Sequence, residues 1–488
     1  MTADAKADAF ASAVALARSV REGKTSARAL LEMYLARVEA HDGVLNAVVS
    51  RRFEEARKEA DAADARLRRG EPVGPLHGVP MTVKEAFDVQ GLPTTWGSPA
   101  HRNNVAKTTA VSVERLRKAG AIVFGKTNNP LMLADWQSFN EVYGTSSNPW
   151  DRSRTPGGSS GGSAAVLAAG LAGFEWGSDI GGSLRVPGHF CGIFVHKPTW
   201  GIVPPDGHGL APGPATDVSV VGPMARSVED LELGMAVAAG PHGALARGWR
   251  LALPPCEKKS LAEFRVALLD DAPQAEVDGE IREALARLAA FLESKGARVD
   301  RQARPDIDFD EVARDTTLLL RGATCGKLPA SEFEKSLKVR NERPDSDDSY
   351  PAVYARGIAA FHREWHQTDQ RRHRRIQAWE AFYERFDVLV CPAASTAAFL
   401  HDHSRPREAR LVTVNGRPRP SIEQVFWPGL AGPTYQPVTV APIGATAGGL
   451  PIGAQIIGPQ YGDATCLRFA RLLEQEFRAF APPPDYVP

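Results

Sequence analysis

Cysteine is scarce in this chain: five in 488 residues, with no CxxC spacing among Cys191, Cys256, Cys325, Cys391 and Cys466. A sparse, odd set argues against a disulfide framework and a zinc ribbon, and it fits reduced thiols in a cytoplasm. Net charge is absent too, with 58 Lys+Arg against 58 Asp+Glu. A nucleic-acid binder needs a basic excess or a basic face, and the bulk charge offers no excess. No apolar run reaches the roughly 18 residues of a membrane-spanning helix. The start, Met1-Thr2-Ala3-Asp4-Ala5-Lys6, lacks the basic-then-apolar order of a signal peptide. Internal repeats and low-complexity tracts are missing as well. The expectation is a soluble, cytoplasmic protein with neither nucleic-acid nor membrane partners.

What the chain does have is enough length to bury a large core without staples. Apolar spacing from Ala9 to Val20, and the stripe Leu30, Leu31, Tyr34, Leu35 and Val38 behind Thr25-Ser26, predict two helices. Arg51–Arg69 predicts a solvated third, ending at Gly70. Further on, short apolar runs alternate with helices, as in Thr109–Ala119 followed by Ala121–Gly125. That alternation predicts an α/β fold, a mixed twisted sheet covered by helices on both faces. Prolines near 240–262 mark a shift in composition. Beyond them come a strand (Phe264–Leu269), an amphipathic helix (Glu280–Lys295) and a strand near Ala297–Asp300. A charged helical stretch follows, with one long helix from Tyr350 to Phe386, before Val388–Cys391 returns to the core as a strand. The organisation expected is a helical N-terminal segment (1–70), a core (71–255), a mainly helical inserted region (256–387) and a second part of the core (388–488). The inserted region and the loop 394–428 are the natural lid.

Two glycine-flanked serines stand out, in Gly157-Gly158-Ser159-Ser160-Gly161-Gly162 and in Asp179-Ile180-Gly181-Gly182-Ser183-Leu184-Arg185. A lysine lies upstream in an apolar setting, Pro80-Met81-Thr82-Val83-Lys84-Glu85-Ala86. Serine, serine and lysine can form a nucleophilic system without histidine. A serine hydroxyl needs a base to take its proton, and a lysine is a base only when neutral. A solvated lysine has a pKa of about 10.4, so burial must lower it by roughly two to three units. Gly181 and Gly182 carry no Cβ, so the turn before Ser183 can be tight. The amides of Ile180, Gly181, Gly182 and Ser183 can then converge on an oxyanion. Taken alone, Gly-Gly-Ser is more often a surface turn, and a lysine more often pairs with a surface carboxylate. The apolar run Ser163–Leu171 predicts a buried helix whose first turn carries Ser159 and Ser160, at its free amides and positive dipole end.

Together these residues resemble the amidase signature family of serine hydrolases. Gly157–Thr199 follows the family's signature almost position by position, ending in Lys197-Pro198-Thr199. Leu76-His77-Gly78-Val79-Pro80 with Val83-Lys84 is similar to its lysine motif. Gly125-Lys126-Thr127-Asn128 and Asn148-Pro149-Trp150 match the approach to the serines, and Gly449-Leu450-Pro451-Ile452-Gly453-Ala454-Gln455 looks like the last strand. The resemblance implies a Ser-cisSer-Lys triad: Ser183 as nucleophile, Ser159 as relay after a cis Gly158–Ser159 peptide, and Lys84 as base. Ser160, the neighbouring alternative, then fixes the loop by hydrogen bonding. Asp179 and Arg185 either orient the nucleophile turn or form a purely structural pair. The resemblance also implies that Leu131-Met132-Leu133-Ala134-Asp135-Trp136 lines the acyl side of the pocket. Phe426, Trp427 and Tyr435 add aromatic surface there or are ordinary core. Val195, where the family often has glycine, and His196, where it is usually apolar, are departures that touch local packing rather than the triad. A homodimer is common in the family, so a monomer or homodimer is expected.

The histidines point away from metal chemistry. His362 and His366 are spaced i, i+4, but Arg363-Glu364-Trp365 between them does not match His-Glu-x-x-His. With His373 and several arginines nearby, they read as a solvated or interface face. His401-Asp402-His403 reads as a loop. The glycine run fits neither G-x-x-x-x-G-K-[ST] nor G-x-G-x-x-G, so no nucleotide, metal or other cofactor is expected. The function expected is hydrolysis of a carbon–nitrogen acyl bond in a small-molecule amide, anilide or carbamate. It runs through an acyl-enzyme on Ser183, with esterase side activity. The alternative is the glutaminase component of a tRNA-dependent amidotransferase. Against it stands the stretch from Phe426 to Pro437, which looks more like free-standing amidases.

Overall fold

The computed structural model describes residues 8–487 other than 212 and 214. The strands of its central sheet are β1 (Val48–Arg51), β2 (Pro80–Lys84), β3 (Ile122–Thr127), β4 (Phe174–Asp179), β5 (Phe194–Lys197), β6 (Val220–Ala225), β7 (Arg265–Leu268), β8 (Arg298–Asp300), β9 (Val388–Pro392), β10 (Val438–Ala445) and β11 (Pro451–Ile457). Their order across the sheet is β1-β3-β2-β4-β6-β5-β10-β11-β9-β7-β8. Pairing is mixed: β2 is parallel to β3 and β4, and β7 to β8 and β9, while the other neighbours are antiparallel. This is the α/β architecture that the alternation predicts. Both β4 and β11 are buried at every residue. For β4, Phe-Glu-Trp-Gly-Ser-Asp, that means polar groups in the middle of a core strand, a local conflict that marks function.

Helices α1 (Ala13–Arg21) and α2 (Ala27–Leu45) start at Ser12 and Ser26, whose hydroxyls accept from the Ala15 and Ala29 amides. The predicted stripe Leu30, Leu31, Tyr34, Leu35 and Val38 is buried. Helix α3 (Phe53–Arg68) buries only Ala56, Ala60 and Ala63 and leaves its charges outside. The 1–70 segment is not wholly helical, because β1 joins the sheet edge antiparallel to β3. Four residues are too few for a periodic signal in the sequence. Then come α4 (Val111–Lys118), α5 (Gly161–Ala168), buried all round, α6 (Arg185–Cys191), α7 (Val228–Ala238) and α8 (Gly279–Ser294).

The 256–387 stretch is not all insertion: β7, α8 and β8 extend the central sheet beside β9. Only the helices after it form a separate cover. These are α9 (Phe309–Thr324), α10 (Ala330–Glu342), α11 (Tyr350–Ile358) and α12 (His362–Tyr383). The single helix expected from Tyr350 to Phe386 is therefore two. The chain turns at 359–361, where Arg340 takes the Ala359 carbonyl and the Glu364 carboxylate caps the Phe361 amide at 3.0 Å. A capped start favours a new helix over continuation of the old one. Helix α13 (Asp463–Glu476) closes the chain against β10. Among the described residues no helix is long and apolar enough to cross a membrane.

Candidate active site

Strands β2 and β4 run parallel and adjacent, so their C-terminal ends deliver Lys84, Ser178 and Asp179 to one edge of the sheet. Carboxyl ends of parallel strands are where α/β sheets place ligand sites. The N-terminus of α5 reaches the same edge with Ser159 and Ser160, after a cis Gly158–Ser159 peptide. A side chain at Gly158 would overlap the Asp135 carbonyl oxygen, so only glycine lets this loop close. Gly182 has φ of +100° and lies against Pro428 and Val186, which lets the chain turn into α6 directly after Ser183.

Lys84 Nζ donates to Ser159 Oγ at 2.6 Å and to Ser178 Oγ at 2.9 Å. Lys84 has no exposed surface. Burial pushes its ammonium down to about 7, with Asp179 and Glu175 pulling the other way. Burial also pushes the Glu175 carboxyl up to about 7. Ser160 ties the two serine turns together. Its amide donates to the Ser183 carbonyl at 3.1 Å, and its hydroxyl donates to the Ser178 carbonyl at 3.2 Å. Among the described residues the Ser183 hydroxyl has no hydrogen-bond partner, and Ser183 lines an open cavity. The structure thus joins Lys84 to Ser159, while Ser159 and Ser183 are not hydrogen-bonded to each other. Such contacts often tighten only with substrate in place.

Asp179 and Arg185 form a buried, two-pronged pair, with Nε to Oδ2 at 3.0 Å and Nη2 to Oδ1 at 2.8 Å. Burial alone would raise the Asp179 carboxyl, but Arg185 and the Leu184 and Gly182 amides hold it well below the usual carboxylate range. Arg185 also donates to the Pro428 carbonyl at 2.9 Å and to Gln455 Oε1 at 3.0 Å, so all three of its side-chain nitrogens donate. One of the four expected oxyanion donors is already spent: the Gly182 amide donates to Asp179 Oδ1 at 2.9 Å. The amides of Ile180, Gly181 and Ser183 have no acceptor among the described residues. Trp136 Nε1 donates to the Gly181 carbonyl at 3.0 Å and fixes that peptide's direction.

The cavity over these groups measures about 1080 Å³ and is lined by Ser159, Ser178, Ser183 and Gly181, with Leu133, Ala134, Asp135 and Trp136 on one side. Its far wall comes from α9, from the chain up to α10, and from the 399–425 loop. Phe426, Trp427 and Tyr435 do not line it. Phe426 and Trp427 are core, the latter donating to the Ala275 carbonyl at 3.1 Å, and Tyr435 stacks on Trp200 and donates to Asp217 Oδ1 at 2.7 Å. The short helix Phe426–Gly429 carries Phe426 and Trp427 into the core and leaves Gln424 and Val425 at the wall. His362 stacks on Trp365, His366 meets Gln370, and His403 lies on Phe139 with His401 beside it. Among the described residues no group of three or more His, Cys, Asp or Glu is set to hold a metal. Ser178 is the site residue that sequence reasoning misses. Its signal is a Ser-Asp pair at the end of an otherwise core strand, directly before the turn that carries Ser183.

The amidase family model matches residues 29–467. The chain is 32% identical over 478 residues to the indoleacetamide hydrolase of Bradyrhizobium diazoefficiens, covering 95% of this chain and 86% of that one. It is also 32% identical to a glutamyl-tRNA(Gln) amidotransferase component of Rubrobacter xylanophilus, over 95% of this chain and 97% of that one. The solved structure of 6-aminohexanoate cyclic dimer hydrolase has a TM-score of 0.78 at 27% identity, covering 98% and 99% of the two chains. With the sheet, the serine turns and these likenesses in agreement, the chain belongs to the amidase signature family of hydrolases acting on carbon–nitrogen bonds other than peptide bonds.

Proposed function

We propose that the chain hydrolyses small apolar or aryl amides and anilides through an acyl-enzyme on Ser183. The observation that carries this reading is the buried Lys84 ammonium, pushed to about 7 and 2.6 Å from Ser159 Oγ, beside a free Ser183 hydroxyl on the cavity wall. Neutral Lys84 takes the Ser159 proton as Ser159 takes that of Ser183. Ser183 Oγ bonds to the carbonyl carbon, and the oxygen's charge falls to the Ile180, Gly181 and Ser183 amides. On collapse the C–N bond breaks, and the amine leaves with the proton returned through Ser159. Water then repeats the attack and frees the acid. Esters react by the same route with an easier leaving group, and a carbamate fits the same attack. Leu131, Leu133, Trp136, Leu320 and Phe399 give the cavity an apolar lining that suits an aryl or alkyl body. We infer a monomer or homodimer needing no cofactor, and the five free thiols fit a reducing cytoplasm.

The likeness to an amidotransferase component keeps a glutaminase reading in play. The test is turnover by the lone purified protein of an aryl anilide, an aliphatic primary amide, an aryl carbamate, a p-nitrophenyl ester and glutamine. Anilide or carbamate hydrolysis without glutaminase activity supports the free-standing reading. Activity on glutamine alone, raised by partner proteins, replaces it with the alternative.

A further inference from the structure

The helical cover is rich in arginine, and many of its arginines are matched with acids. Arg314, Arg340, Arg371, Arg372 and Arg375 each pair with a carboxylate. Two cations that face the cavity, one in the last turn of α9 and one just after it, have no such match. Arg321 and Lys327 both line the cavity, and among the described residues neither pairs with a carboxylate. Lys327 Nζ lies 4.6 Å from the centre of the Trp96 ring and donates to Thr216 Oγ1 at 3.3 Å. Arg321 lies 4.7 Å over the Tyr354 ring and donates to the Tyr350 hydroxyl at 3.3 Å, while its buried Nε has no partner. An aromatic face positions a cation without neutralising its charge.

The ground around Lys327 is short of acceptors. His208 packs on Trp96 and Phe87, and its buried Nε2 has no partner. Burial, with Lys84 and Lys327 close by, holds His208 well below its usual range, so the ring is neutral. That both lysines act on one ring puts Lys327 in the neighbourhood of the reacting groups. Most of the acids elsewhere on the cavity wall have cations of their own. Asp179 is held by Arg185, Asp135 by Arg410 at 2.7 Å, and Glu332 by Lys335 at 2.9 Å. On the opposite loop Asp402 lies near Arg410, while Glu408 makes no ion pair among the described residues and lies with Arg321 and Arg407 around the Tyr354 hydroxyl. An unopposed ammonium on the wall of a largely apolar cavity is a seat for an anion.

We propose that the substrate carries a carboxylate at the end away from the scissile bond, and that Lys327, with Arg321 behind it, recognises it. This rests on reading the cavity as the amide site, and the test separates the two. Ser183→Ala protein is titrated calorimetrically with glutaric acid monoanilide and with pentananilide, which differ only in the terminal carboxylate. The monoanilide is expected to bind about tenfold more tightly or better at low salt, and most of that margin to vanish near about 0.5 M salt. Adding Lys327→Met should remove the margin, and Lys327→Arg should keep most of it. Equal binding of the two anilides, no binding of either, or a margin unchanged in Lys327→Met overturns the proposal. Labelling of the wild-type protein by a neutral fluorophosphonate reports on Ser183 alone. No label with a retained carboxylate margin removes the nucleophile assignment but not the carboxylate seat, and a label without the margin does the reverse.

Discussion

Two parts of the molecule meet at one cavity and are built on opposite terms. The turns at 157–162 and 179–185 hold their charges inside hydrogen bonds and leave no room for change. Asp179 is saturated by Arg185 and by backbone amides, and Gly158 and Gly182 sit where a side chain would collide or strain. The cover from α9 to α12 is tied instead by ion pairs, many of them exposed, over one buried anchor. That anchor is Asp315, which accepts from Arg371 Nε and Nη2 and from Arg375 Nη1, each at 2.8 Å. Acyl transfer needs its atoms placed to a fraction of an ångström, and only an over-determined backbone does that. A wall that selects a substrate's far end needs only to present charge and shape. On the proposed function, chemistry belongs to the turns and selectivity to the cover.

The largest effects test the turns. Ser183→Ala is expected to lower kcat/KM by about 10⁴-fold or more and to abolish fluorophosphonate labelling, read by intact-protein mass spectrometry. Label retained elsewhere would move the nucleophile and end the contrast as drawn. Lys84→Ala should cost about 10²- to 10⁴-fold, the usual range for a positioned base. The pH profile follows from the lysine's sign. As the proposed base Lys84 works only when neutral, and burial places its pKa at about 7, so kcat/KM should climb as pH rises through about 7 and then level off. A rate independent of pH from about 6 to about 9 would dismiss Lys84 as the base.

That asymmetry also explains what is legible in the sequence. The sheet, α5, the serine turns and Lys84 can be read because each needs particular residues: glycine where no Cβ fits, serine and lysine where the proposed relay moves protons. Ser178 is hidden because a single serine in a strand looks like any other until register sets it against Lys84. Which backbone amides remain free at the oxyanion turn is equally invisible, since the sequence does not show Asp179 taking the Gly182 amide. Residue type alone leaves Phe426, Trp427 and Tyr435 open between pocket and core. The direction of the first two depends on the short Phe426–Gly429 helix, which no periodic pattern announces, and that of Tyr435 on its partners Trp200 and Asp217. The break between α11 and α12 is hidden for another reason: Arg340, far back in the chain, satisfies the carbonyl it frees.

A mid-sized effect compares the two buried carboxylates directly. Asp179→Asn leaves Arg185 without its counter-charge and should cost about 3–5 kcal/mol in denaturant unfolding, whereas Asp315→Asn leaves Arg371 and Arg375 still paired with Glu311 and should cost less. The two should part company in turnover measured well below the unfolding midpoint. Asp179→Asn loosens the Gly182 and Leu184 contacts and should lower kcat by about 10²-fold through the oxyanion turn. Asp315→Asn should leave kcat for a small neutral anilide close to that of the parent protein. Equal losses of kcat would mean that the cover positions the reacting atoms too.

The smallest expected effect probes the outer face of the cover. Lys338 and Glu342 lie i, i+4 on α10, 3.8 Å apart, with side chains 75% and 62% exposed. Solvent and salt screen such a pair, and two long side chains lose freedom in making it, so little net stabilisation remains. Lys338→Ala should shift Tm by no more than about 2 °C and leave turnover alone. The same substitution repeated in about 0.5 M salt should make no further difference, because there is almost no attraction left to screen. A drop of roughly 5 °C or more at low salt would say that α10 is locked as firmly as the turn at 179–185. The cover would then be a second rigid frame, and substrate selection would have to come from the shape of the cavity rather than from an adaptable charged wall.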